Sequence, residues 1–238
     1  MVSKKYTHLF FDLDNTLWDF DTSSRVAMHK TFMHYKIDRQ CDSFSLFFDT
    51  YSRINIYLWD EYKKGKLLKR ELVQQRFQMT FDEMKITGTD AESMNTFYLE
   101  EMPLHGRLIP GAEEMLLYLK KRGYTLYIIT NGFTEVQYKK LEVSGIHKFF
   151  RKVFISEDIK ATKPSKEIFQ YAVKSANARK IRCVMIGDDY DADITGAINY
   201  GIDALYFNPR KLTTGTMIIP EKHYLGEIHS LIEINSIL

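Results

Sequence analysis

Five short apolar runs constrain most strongly what this chain can become. They are Tyr6–Phe11, Tyr124–Thr130, Val153–Ser156, Cys183–Gly187 and Ala204–Phe207. Each is close to continuous rather than alternating, so each reads as a strand buried on both faces. Strands of that kind belong to parallel sheets covered by helices on both sides. From Pro110 onward the stretches that precede or separate the last four runs have helical spacing. In the first, Ala112, Met115, Leu116 and Leu119 share a face. Glu113 and Glu114 open that helix, Lys120, Lys121 and Arg122 close it, and Gly123 is placed to end it. A second helix is expected to run to about Gly145, a third to open with Pro164 as its first residue, and a fourth to run to about Tyr200. The tail, Leu225 to Leu238, reads as a closing amphipathic helix with Ile228, Leu231 and Ile232 turned inward.

Between the first run and the rest lies a region of different character. The chain has no proline before Pro103, and Phe44, Phe47, Phe48, Tyr51, Ile54 and Leu58 follow the spacing of one helix face. The pattern predicts an α/β class fold, a doubly wound (Rossmann-like) parallel-sheet core formed by residues 1–18 and 104–238. An all-helical insertion, residues 19–103, separates its first strand from the others.

In open parallel sheets ligands bind outside the C-terminal ends of the strands, and the chemically loaded residues of this chain fall there. The first strand runs into Asp12-Leu13-Asp14-Asn15-Thr16, the second into Thr130-Asn131-Gly132, and the fourth into Gly187-Asp188-Asp189, with Asp191 and Asp193 following. Lys163 lies after the third. Asp12, Asp14, Asp188 and Asp193 are candidates to converge. Crowded carboxylates raise one another's pKa or bind a cation, and their hard oxygens suit Mg²⁺. Beside such a cation Asp12 can attack phosphorus to form an aspartyl-phosphate. Asp14 can protonate the leaving oxygen and then deprotonate the attacking water. Thr130 and the amides near Asn131 can hold phosphoryl oxygens, and Lys163 supplies fixed positive charge. Each segment alone has a plainer reading: an Asp-rich turn, an Asn-Gly turn, a solvated lysine, an acidic or calcium-binding loop. Their order, each at a strand end or helix start, favours the catalytic one.

Composition narrows the class. Lys and Arg total 33 against 31 Asp and Glu, a net charge of +2, which gives no electrostatic grip on a nucleic-acid polymer or an anionic membrane. No apolar run reaches the length of a membrane span. The N-terminus meets acidic residues too early for a secretory signal. Cys41 and Cys183 have neither metal spacing nor a partner pattern. A cytoplasmic location and a small-molecule partner are expected, and oligomeric state is left open.

These motifs resemble the haloacid dehalogenase (HAD) superfamily, most of whose members are phosphatases. Its DxDxT motif matches Asp12, Asp14 and Thr16; its Thr or Ser after the second strand matches Thr130; its lysine matches Lys163; its acidic pair matches Asp188 with Asp193. The resemblance implies Asp12 as nucleophile and Asp14 as acid/base. It implies Mg²⁺ on Asp12, the Asp14 backbone carbonyl and Asp188, with Thr16 and Asp193 just behind, and a helical cap in the insertion. The strings FDLDNTLWDFD, LWDEYKKGKL with QQRF, and ITNGFTEVQYKKLEVSGI are similar to the pyrimidine-preferring 5′-nucleotidase subgroup. Lys160 departs from that pattern, where a small or apolar residue is usual. Asn55, Trp59 and Tyr62 are the candidate substrate contacts of the cap. The expected function is Mg²⁺-dependent hydrolysis of nucleoside 5′-monophosphates. The alternatives are a phosphatase or mutase acting on phosphoglycolate or a sugar phosphate, and a receiver-like domain that only accepts a phosphoryl group. Asp14 argues against a true dehalogenase, and the chain's length against a receiver.

Overall fold

The computed structural model describes residues 5–212 and 222–238. The first four residues, part of the stretch read above against a secretory signal, lie outside them. The chain opens with β1 (His8–Phe11) and continues through α1 (Phe20–His34), α2 (Phe44–Lys63), α3 (Lys69–Met84) and α4 (Ala91–Glu101). It then alternates: α5 (Ala112–Lys121), β2 (Thr125–Thr130), α6 (Thr134–Val143), β3 (Phe150–Ile155), a short α7 (Ser156–Ile159), α8 (Lys166–Ser175), β4 (Cys183–Gly187), α9 (Gly196–Tyr200), β5 (Asp203–Phe207), β6 (Tyr224–Ile228) and a terminal turn, α10 (Ile234–Ile237). Two compact units result, Met1–Phe20 with Gly106–Leu238, and Asp21–His105.

The first unit is built on one six-stranded sheet, order β3-β2-β1-β4-β5-β6, with every pairing parallel. β1 lies between β2 and β4, with His8 opposite both Thr125 and Cys183. The strand order reverses at β1, and such a switch opens a crevice at the strands' C-terminal ends. The expected two-faced burial holds. Phe10, Tyr127, Ile129, Phe154, Cys183 and Met185 pack with Ile168, Phe169 and Ala197 on one face. Their neighbours Leu9, Phe11, Leu126, Ile128, Val184 and Ile186 are equally buried on the other.

Three local expectations are corrected. The tail is not a single helix: Tyr224–Ile228 is the sixth strand, paired with β5, and a short helical segment follows. Ile228 and Leu231 are buried as expected, whereas Ile232 is only partly so. Their spacing mimics a helix face, but the sheet edge offers Tyr224–Ile228 a partner that no local pattern encodes. Strand β3 starts earlier than expected, at Phe150; exposed Arg151 and Lys152 suit its edge position. Helix α8 starts at Lys166 rather than Pro164. The Asn131 side chain holds the Lys163 backbone on both sides, accepting from its N–H at 2.8 Å and donating to its carbonyl at 3.0 Å. That keeps the chain out of helical geometry there.

In the helical unit α2 buries Phe47, Tyr51, Ile54 and Leu58. Ser43 caps α2 by accepting from Leu46 N, and Asp90 caps α4 by accepting from Ser93 N. No helix among the described residues is long and apolar enough to cross a membrane.

Candidate active site

Two glycines make the strand ends usable. A Cβ on Gly187 would sit 2.1 Å from Asp193 Oδ2, so only glycine lets that carboxylate lie against the end of β4. A Cβ on Gly132 would sit 2.3 Å from Gln137 Cδ. After β4 a π-helical turn, Tyr190–Thr195, swings Asp193 back over the strand. Asp193 Oδ2 accepts from Asp189 N at 3.2 Å.

The carboxylates form two groups with different electrostatics. In the first, Asp12, Asp188 and Asp193 each bring one oxygen within 4.8 Å of the others. Lys163, only 2% exposed, reaches Asp12 Oδ1 at 2.5 Å and Asp193 Oδ1 at 2.6 Å. Thr16 brackets Asp188, donating its hydroxyl to Oδ1 at 2.8 Å and accepting from the Asp188 N–H at 3.0 Å. When ionised, three carboxylates facing one ammonium leave two negative charges uncompensated.

Burial pushes the Asp12 carboxyl above its ordinary range, against the pull of Lys163. Burial and the charges of Asp12 and Asp193 push Asp188 well above it. Burial, opposed by Lys163, lifts Asp193 to about 7. Burial works against the Lys163 charge, but the two carboxylates outweigh it and hold the ammonium above its usual range. Crowded, desolvated oxygen donors of this kind are what a hard divalent cation relieves, and the donor set fits one.

In the second group each oxygen of Asp14, whose side chain is 28% exposed, has one donor. Lys140 Nζ lies 2.6 Å from its Oδ1, and Gln137 Nε2 donates to its Oδ2 at 3.0 Å. The same amide nitrogen donates to Thr130 Oγ1 at 2.6 Å. Lys140 lies against the faces of Trp18 and Phe20, 4.7 and 5.3 Å from the ring centroids. Burial pulls its ammonium below the usual lysine range, against the attraction of Asp14. Gln137 and Lys140 escape a sequence reading because polar side chains on a helix are expected to face water. The available signal was their position: with Val136 and Leu141 they occupy the buried face of α6.

The structure thus brings together Asp12, Thr16, Lys163, Asp188 and Asp193, and ties Asp14 to Thr130 through α6. The side chain of Asn131 is spent on the Lys163 backbone, which leaves its main chain to meet a ligand. Asn55, Trp59 and Tyr62 lie on α2 in the helical unit. Trp59 and Tyr62 pack edge to face at 5.4 Å, and Asn55 Oδ1 accepts from Arg76 Nη1 at 3.4 Å.

A parallel sheet carrying these groups at its strand ends defines a hydrolase class, and comparison with known proteins identifies it. The family model for haloacid dehalogenase-like hydrolases matches residues 6–201, and the chain belongs to that family. Among its relatives, the pyrimidine 5′-nucleotidase PynA of Streptococcus pneumoniae is 34% identical over 90% of this chain and 89% of its own. The pyrimidine 5′-nucleotidase YjjG of Escherichia coli is 30% identical over 86% and 87%. The HAD-hydrolase YfnB of Bacillus subtilis, solved bound to magnesium, superposes with a TM-score of 0.85 at 32% identity over 99% of both chains.

Proposed function

We propose that this hydrolase is a Mg²⁺-dependent phosphomonoesterase acting on pyrimidine nucleoside 5′-monophosphates through an aspartyl-phosphate. The observation that carries the chemistry is the contrast between the two carboxylate groups. Asp12 belongs to a cluster that, when ionised, carries two negative charges beyond what Lys163 neutralises, whereas Asp14, two residues on, is paired with Lys140. One is suited to attack beside a cation and the other to move a proton.

Asp12, Asp188 and the Asp14 carbonyl would hold Mg²⁺, which supplies the positive charge that lets an anionic nucleophile approach a phosphate dianion. Lys163 fixes the Asp12 carboxylate through Oδ1 and adds charge beside the transferring group. Thr130 Oγ1 already accepts from Gln137, so its own proton is left to donate to a phosphoryl oxygen. Asp12 attacks phosphorus, and the ester P–O bond breaks as Asp14 gives its proton to the leaving oxygen. Water then attacks the aspartyl-phosphate, gives a proton to Asp14 and releases inorganic phosphate.

The substrate assignment draws on the two nucleotidase relatives and on the rings of α2. Stacking a base on an aromatic ring is worth about 1–3 kcal/mol, about tenfold or more in binding. Trp59 and Tyr62 are assigned to that contact and Asn55 to the base edge. The test is phosphate release from a panel of phosphomonoesters with and without Mg²⁺. Deoxypyrimidine 5′-monophosphates should show the highest kcat/KM, above phosphoglycolate, hexose phosphates and 3′-nucleotides. A tenfold preference for phosphoglycolate or a hexose phosphate would remove the nucleotidase assignment and leave the phosphatase chemistry standing.

A further inference from the structure

We infer that Gln137 and Lys140, on the buried face of α6, are positioning residues that set Asp14 and Thr130 for proton transfer and phosphoryl binding. The inference rests on the phosphatase reading above and extends it to residues outside the strand-end motifs.

The argument begins from what these side chains cost. Lys140 is 2% exposed and Gln137 is 0% exposed. Burying an ammonium removes its hydration, and its ion pair need not return that loss in stability. Among the described residues Gln137 Oε1 is buried without a hydrogen-bond partner, and an unmade bond of that kind costs stability. Apolar side chains would serve the packing of α6 better. What the polar pair provides is geometry. Lys140 takes Oδ1 of Asp14 and Gln137 takes Oδ2, so both oxygens are held and the carboxylate has one orientation. The two N–H bonds of the Gln137 amide go to Asp14 and Thr130. The acid/base that follows β1 and the phosphate donor at the end of β2 thereby share one group. Gly132 belongs to the same device, because any side chain there would take the space of the Gln137 amide.

In this scheme the variants lose proton transfer rather than attack. Cleavage of an alkyl ester needs Asp14 to protonate the departing oxygen. An aryl ester with a good leaving group does not, although hydrolysis of the aspartyl-phosphate still needs Asp14 to accept a proton from water. The experiment compares kcat/KM for deoxyuridine 5′-monophosphate and 4-nitrophenyl phosphate in wild type, Lys140→Met, Lys140→Arg and Gly132→Ala. Phosphoenzyme is measured in each after acid quench.

Lys140→Met should lower kcat/KM for the nucleotide about a hundredfold and for the aryl ester by less than about fivefold, and phosphoenzyme should accumulate. Lys140→Arg should recover most of the nucleotide activity. Gly132→Ala, which displaces the Gln137 amide without substituting any residue of α6, should reproduce the leaving-group dependence in weaker form; should Lys140→Met fail to fold, it and Lys140→Arg decide the matter. Equal losses on both esters with no trapped phosphoenzyme would show a purely structural role and overturn the positioning, leaving the phosphatase reading intact. Wild-type enzyme inactive on both esters with Mg²⁺ would overturn that reading and this inference together.

Discussion

The two units solve the problem of buried charge in opposite ways. In the α/β unit the buried cations Lys163 and Lys140 each face carboxylates, at 2.5 and 2.6 Å. In the helical unit the buried cation is Arg76, 3% exposed. It donates to the neutral Asn95 Oδ1 at 2.7 Å and lies 5.4 Å from the Tyr98 ring centroid. Three of the other buried polar groups there turn back on their own helix or pair with a neighbour: Thr31 to Ala27 O, Thr80 to Arg76 O, Ser24 with Tyr98. A guanidinium among amides and rings pins helices together. An ammonium among more carboxylates than it can neutralise is an unfinished arrangement, and a divalent cation and a phosphate would complete it.

On that contrast, substituting Asp12 or Asp188 should impair activity at little cost in stability. Asp12→Asn should reduce turnover at least about a thousandfold, because an amide does not attack phosphorus. Without metal, its Tm should equal or exceed that of wild type, since one crowded carboxylate has gone and Lys163 keeps Asp193. A tenth of wild-type turnover, or a large fall in Tm, would break the comparison. Next in size is the metal. Chelation should abolish activity, and Mg²⁺ should restore it. Asp188→Ala should raise the Mg²⁺ concentration needed for half-activity more than Asp193→Ala does. Asp193→Ala should lower Tm more, because Asp193 is fully buried, salt-bridged to Lys163 and packed on Gly187.

The same contrast explains what the sequence could and could not reveal. Strand β4 is found at the bounds its apolar run indicated, and the Asp12, Asp188 and Lys163 segments meet because strand ends in a parallel sheet must. Local pattern sufficed there, since continuous apolar runs have one good solution. It failed where a distant partner decides. Tyr224–Ile228 is a strand only because β5 has a free edge, and Lys163-Pro164 lies in a turn, closed by Ser165 N donating to Thr162 O at 2.8 Å, where Asn131, 32 residues earlier, holds the Lys163 backbone. Gln137 and Lys140 were missed for a related reason. A buried lysine looks like a solvated one until Asp14 is seen beside it.

The helical unit gives the converse test. Arg76→Met should destabilise by about 2–4 kcal/mol, since it strands the Asn95 carbonyl and leaves imperfect packing around Tyr51 and Tyr98. Chemical denaturation measures this. Turnover per folded molecule should stay within about threefold of wild type, far short of the loss proposed for Asp12→Asn. A variant of unchanged stability but sharply raised KM would mean that Arg76 serves the substrate, and the division between the units would fall.

The smallest effect is expected at Asp203, a carboxylate at the start of β5 in the α/β unit that belongs to none of the site motifs. Burial works to raise its pKa, but hydrogen bonds from Tyr6 at 2.5 Å, His223 at 2.7 Å and Lys5 at 3.1 Å outweigh it and hold it below the ordinary range. A carboxyl whose folded pKa is depressed takes up its proton at lower pH in the folded state than in the unfolded one. It therefore stabilises the fold above the unfolded value, about 3.9, and that contribution is lost as pH falls through the folded value. Its partners are partly exposed and screened by solvent, so the contribution is modest. Asp203→Asn should lower Tm by about 1–3 °C at pH 6, and the difference from wild type should close as the pH falls from the unfolded carboxyl value of about 3.9 through the lower folded one. Thermal melts across that range measure it. A Tm gap that stayed constant with pH would mean that Asp203 contributes through packing alone and that its charge is not what joins the N-terminal segment to the β5–β6 edge.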